Sequence, residues 1–234
     1  SLVSFREVRE DGPLYRKALA ISWPAVLEGL LVSVISSADT IMVGTLGPAA
    51  IAAVGLTMQP RMILLILVQS LNVGTTALIA RRRGAGDEAG LRAGLQQAMW
   101  LSVAIGLVIT LLGYFFARPI MSLAGANADT LDMAGDYFRI VSLGFIPNSI
   151  LLCICAAFRG LGKTRVTLVT HLLSNIVNII FNYLLIGGNL GFPRLGVSGA
   201  ALATVVGITT AGLISYWFAA NAASPFRYRM KKPA

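Results

Sequence analysis

Long apolar runs alternate with short polar, basic or glycine-rich stretches along most of the chain. About 20 apolar residues suffice to cross a bilayer as a helix. Runs of that kind fall at residues 18–43, 54–80, 95–116, 137–158, 166–186 and 199–220, which predicts six spans. The stretch GTLGPAAIAAVGL at 44–56 predicts a short turn and a re-entering helix before the second span. Arg118 and Pro119 are expected to close the third span, and Pro147 to interrupt the fourth. In the sixth, Gly199, Ala203 and Gly207 stand four apart, a spacing that lets helices approach closely. The pattern predicts an all-α integral membrane protein built as a six-transmembrane-helix bundle over residues 18–221. A leader at 1–17 and a basic tail at 222–234 flank it.

The polar positions inside these runs are the informative ones. The first span holds Glu28 and Asp39 and no basic residue. A carboxylate at the bilayer centre costs roughly 2.5–3.5 kcal/mol, so both should face protein or water. Eleven residues at ~100° each make about three turns, placing the two on one face ~16 Å apart. Pro24 lies on that face one turn earlier and favours a kink. Asp39 also fits a simpler role, ending its helix near the outer surface. The second span carries Gln59, Arg61, Gln69 and Asn72, with Arg61 expected near the outer interface, where a long side chain can snorkel. In the fifth, His171, Asn175, Asn178 and Asn182 follow a 4, 3, 4 spacing and share one stripe. An amide in hydrocarbon must find partners, so the stripe should face the bundle interior, against helix one. Asn carbonyls with a carboxylate are hard oxygen ligands suited to a small cation, or to a proton with water. Spacing alone fits either such a site or hydrogen-bonding glue between helices. Thr204 in the sixth span could add a hydroxyl, or bond back to its own helix.

Composition narrows the class. Of 234 residues, 56% are hydrophobic and 12% charged, with mean hydropathy +0.76. Soluble domains carry about 25% charged residues. The net charge of +9 does not point to nucleic acid, because the basic residues cluster between apolar runs. The leader, the loops at 81–92 and 159–165, and the tail hold four, four, three and four of the 19 Lys and Arg. Positive-inside placement then puts both termini and both loops in the cytoplasm of a multi-pass plasma (inner) membrane protein. Cys153 and Cys155, two apart on a helix, are expected to be buried and unbridged. The chain shows no nucleotide-binding, hydrolase or metalloprotease signature, so an enzyme is not expected.

Several stretches, taken in order, resemble the multidrug and toxic compound extrusion (MATE) transporters. The run Asp39-Thr40-Ile41-Met42-Val43-Gly44, followed by Leu46-Gly47-Pro48-Ala49-Ala50, is similar to their first helix and turn. Ala80-Arg81 with Gly84-Ala85-Gly86-Asp87, and Phe158-Arg159-Gly160-Leu161-Gly162-Lys163-Thr164, resemble their loops after helices two and four. Asn178-Ile179-Ile180-Phe181-Asn182-Tyr183 and Leu195-Gly196-Val197-Ser198-Gly199 resemble helices five and six.

The resemblance implies one lobe of a twelve-helix antiporter that exports cationic or amphipathic compounds against protons or sodium ions. It implies a cation or proton site at Asp39, Asn178, Asn182 and Thr204, able to take a sodium ion. No cofactor is implied. Pro24, Glu28, Gln59, Gln69, Asn72 and Asn175 are the expected supporting or substrate-facing residues. Some members carry Asp where this chain has Asn182, so proton or sodium coupling stays open. The expected partners are the bilayer, a cationic small molecule, and a second six-helix lobe or a second copy. Two alternatives stand beside this reading: a lipid or polysaccharide flippase of the same superfamily, and a non-transporting half.

Overall fold

The computed structural model describes residues 40–221 continuously, with isolated positions on either side. Pro24, Glu28 and Asp39, with half of the first expected span, lie outside the described residues. Seven α-helices follow: α1 Pro48–Gly84, α2 Glu88–Phe115, α3 Ala117–Leu123, α4 Ala128–Ser142, α5 Phe145–Gly160, α6 Thr164–Gly187 and α7 Gly196–Ala220. Among the described residues, α1, α2, α6 and α7 are each long and apolar enough to cross a membrane. The α4 and α5 pair, bent by 49°, is together long and apolar enough to add a fifth if it crosses as one broken span.

Two local expectations need correction. The re-entering helix and the second span are one helix of 37 residues, α1. Pro48 starts it at the first turn, where a missing N–H costs nothing, and Pro60 is carried inside it. At ~1.5 Å per residue, α1 exceeds the ~30 Å hydrocarbon core, so its ends reach beyond. Likewise, Arg118 and Pro119 do not end structure. They sit in the first turn of α3, which α2 enters after a break at Phe116. Arg118 Nη2 then donates to Asp132 Oδ1 at 2.6 Å, tying α3 to α4. The break in the fourth span falls at Leu143 and Gly144, just ahead of Pro147, which occupies the first turn of α5.

Chain direction alternates as expected. Gly160, ending α5, packs against Thr76 and Ile79 near the end of α1, so both basic loops leave one end of the bundle. Leu46 meets Gly196 at the other end. The first basic loop is closed by Asp87, the N-cap of α2. Its carboxylate accepts from Gly90 N at 2.7 Å and from Arg82 Nη1 at 2.6 Å. Those two bonds hold the Asp87 carboxyl below its ordinary value of 3.8.

The tightest pairing is α6 on α7. In lipid, helices gain no hydrophobic drive against one another, so close van der Waals approach matters. A methyl built on Gly199 would stand 2.6 Å from the Leu185 carbonyl oxygen, and one on Gly207 would stand 2.8 Å from that of Ser174. Ala203 between them is fully buried. The four-residue spacing thus forms the contact seam the sequence predicts. Cys153 and Cys155 are buried and form no disulfide. Part of the tail folds back, with Phe226 buried edge-on against Phe158 at 5.5 Å.

Candidate functional site

The α6–α7 seam positions the polar residues. Because Gly207 brings α7 against Asn178 Cβ, the amides of α6 stand beside Thr204. Asn178 Nδ2 donates to Thr204 Oγ1 at 3.4 Å, and Asn182 Nδ2 donates to Asn178 Oδ1 at 3.1 Å. Thr204 Oγ1 in turn donates to the Ala200 carbonyl at 3.0 Å. Asn178 and Asn182 are buried, 6% and 2% exposed, so neither amide faces lipid.

These residues border a cavity of about 290 Å³ between α1, α6 and α7. Its wall holds Asn175, Asn178, Asn182 and Thr204 together with Thr40, Ser174, Tyr137 and Arg61. Apolar side chains of α1, Ile51, Val54 and Met58, complete it. The four expected residues within the described part of the site-stripe therefore meet in one place. The buried line on α6 coincides with the expected one at Asn178 and Asn182 and lies one residue earlier in the two turns before them. It runs Thr167, Thr170, Ser174, Asn178, Asn182, with Asn175 and His171 at its half-buried edge. Steps of four turn the buried line ~40° each, following the crossing of α7.

The other expected residues lie elsewhere. Gln59 lines a separate groove of about 800 Å³, with Pro60, Ile63, Ile120 and Leu123. Gln69 is exposed on α1. Asn72 is 6% exposed, its Oδ1 without a hydrogen-bond partner among the described residues.

Arg61, Ser174 and Tyr137 are wall residues that the sequence reading did not assign to the site. A signal for Arg61 existed: with Val54 and Met58 it forms a helical i, i+4, i+7 line. Roughly 20 residues, or ~30 Å, separate Arg61 from Arg81, one hydrocarbon thickness. That spacing suits the expected position near the outer interface, and the structure adds that Arg61 also borders the cavity.

The chemistry available is neutral oxygen and amide donors beside one guanidinium. Amide carbonyls and a hydroxyl suit a hard cation such as sodium. Without a carboxylate they would hold it weakly. Thr40, the residue after Asp39 in sequence, is on the wall.

The sequence model of the MatE family matches residues 24–184. A probable multidrug resistance protein NorM of Thermotoga maritima is 30% identical over 210 residues, covering 89% of this chain and 45% of that protein. The protein of the same name in Synechococcus sp. is 32% identical, covering 92% of this chain and 46% of its own. A crystal structure of MATE in the bent conformation superposes with a TM-score of 0.82 at 28% identity, over 92% of this chain and 48% of that one. The chain thus spans about half the length of the curated relatives it matches. A membrane-spanning helical lobe, with its polar residues gathered against α7, agrees with these likenesses: the chain belongs to the MatE family.

Proposed function

We propose that this chain forms one half of a multidrug efflux antiporter that exports cationic amphipathic compounds in exchange for protons or sodium ions. The observation that carries this reading is the shared cavity of Asn178, Asn182 and Thr204, reached by the residue that follows Asp39. One carboxylate cannot hold a proton and a cation together, so each displaces the other. Asp39 supplies the charge, the Asn178 and Asn182 oxygens and the Thr204 hydroxyl supply ligands, and Pro24 supplies a bendable point in the first helix. In this reading the end that carries the basic loops, and both termini with it, lies in the cytoplasm, which the excess of Lys and Arg there supports. A second six-helix lobe, or a second copy, supplies the opposite wall.

The test uses this chain joined to a second lobe. Asp39→Asn should abolish pH-dependent export of a fluorescent cationic dye while leaving the protein folded in the membrane. Wild-type export rate and pH dependence in that variant would show Asp39 to be a helix-ending residue and overturn the reading. The flippase alternative gains from one observation, Arg61 on the cavity wall, because flippases of this superfamily tend to line their cavities with basic residues.

A further inference from the structure

Arg61 is a charged residue in an unexpected setting. It lines the same cavity as Asn178 and Thr204, is half-buried, and makes no hydrogen bond or ion pair with any described residue. Among the described wall residues no carboxylate is present, and Arg61 carries the one formal charge. The ion pairs recorded elsewhere engage Arg82, Arg92 and Arg118, all on polar connections or helix ends. Beside an apolar wall, even near the interface, a half-buried guanidinium gains by meeting an anion or water. It presents a planar fork of donors that matches a carboxylate in two parallel hydrogen bonds. The remaining wall suits the rest of such a molecule: Ile51, Val54 and Met58 offer an apolar surface.

We infer that Arg61 is a specificity-determining residue of this cavity, which takes amphiphiles bearing a carboxylate beside an apolar body. This rests on the efflux reading above for the cavity's being the transport site, and it adds a second requirement to it. A zwitterion satisfies both ends: its cationic group competes with the proton, and its carboxylate is held by Arg61. Lys at this position keeps the charge and loses the paired geometry, so it should keep part of the preference.

The experiment compares two fluorescent dyes that differ in one group, tetramethylrhodamine with its free carboxylate and tetramethylrhodamine methyl ester. Binding is followed by polarisation to the chain in phosphatidylcholine nanodiscs. The free acid should bind about tenfold tighter than the ester, the worth of a charge-assisted hydrogen-bond pair. Arg61→Gln should erase that gap, with the cationic ester bound at least as tightly as before because a like charge has left the wall, and Arg61→Lys should keep part of it. Ester binding that persists in the variant also shows that it is folded. Equal binding of the two dyes, with no effect of Arg61→Gln, overturns the inference and leaves the efflux reading standing. Loss of the preference when phosphatidylglycerol replaces part of the phosphatidylcholine assigns Arg61 to a net anionic lipid headgroup and overturns the small-molecule assignment. Ester binding that protons and sodium fail to displace counts against the efflux reading, whatever the two dyes' ratio.

Discussion

At the scale of single residues, the site is a relay of neutral polar groups. Asn182 donates to Asn178, Asn178 to Thr204, and Thr204 to the backbone of its own helix. The three residues hold one another in a row along the cavity wall. Thr204→Ala removes one hydroxyl, and the Asn178–Thr204 bond is long at 3.4 Å. It should weaken cationic-dye binding only a few-fold, in line with about 0.5–1.5 kcal/mol for one hydrogen bond. Asn178→Leu removes the acceptor for Asn182 and should cost about 1–3 kcal/mol of stability as well as binding, because a buried donor is stranded. Urea titration in detergent and dye polarisation would measure the two. Asp87 gives a separate, pH-dependent prediction. Its carboxyl is held below 3.8 by Gly90 N and Arg82, so the folded chain favours the charged form. That contribution is complete above the ordinary value of 3.8 and is lost as pH falls through the lower folded one. Wild type should therefore melt above Asp87→Ala at neutral pH, and the gap should close in acid below that value. A gap that widens in acid would contradict the assignment.

At the scale of helices, the sequence was most readable where a spacing rule has one physical cause. Gly199, Ala203 and Gly207 read as a packing seam and are one, since backbone atoms of α6 lie where their side chains would go. The amide stripe of α6 was legible as inward-facing at Asn178 and Asn182, but His171 and Asn175 each stand one residue past the buried line. Periodicity fixes a face to within about a third of a turn, and the crossing of α7 decides the rest. The junction at 44–56 was misread for a different reason. Glycine weakens a helix signal locally, whereas the Pro48 start and the alanines that follow it, strong helix formers, carry α1 straight through. Arg61 was read as an interface residue because its long side chain can snorkel there. That it also borders the cavity depends on which helices pack against α1, which no single run of sequence states. The seam yields a prediction: Gly207→Ala should destabilise the α6–α7 pair by about 1–3 kcal/mol, the usual cost of overpacking. It should also weaken dye binding, because its methyl would press on the Ser174 carbonyl and on Asn178. Thermal unfolding of the variant at wild-type temperature would contradict the seam.

At the scale of the whole molecule, alternating connections give the bundle two unlike ends. The loops at 84–88 and 160–164 share one end with the basic residues, and the α3 turn belongs to the other. Cysteines introduced at Ala85 and Ala126 should react with an impermeant thiol reagent from opposite sides of the membrane, and labelling from one side would break the topology. The relatives extend to about twice this length. A transport cycle therefore calls for a second lobe, whereas binding at the α1–α6–α7 cavity is a property this chain can be asked about directly. The most direct test of the account is to count protons. Cationic tetramethylrhodamine methyl ester is added to the chain in weakly buffered nanodiscs near neutral pH, and proton release is recorded with a pH indicator. Competition at Asp39 predicts that dye binding drives protons out of the wild type, and that Asp39→Asn binds dye weakly and releases none. Dye binding without proton release in the wild type, or equal release from Asp39→Asn, would contradict it.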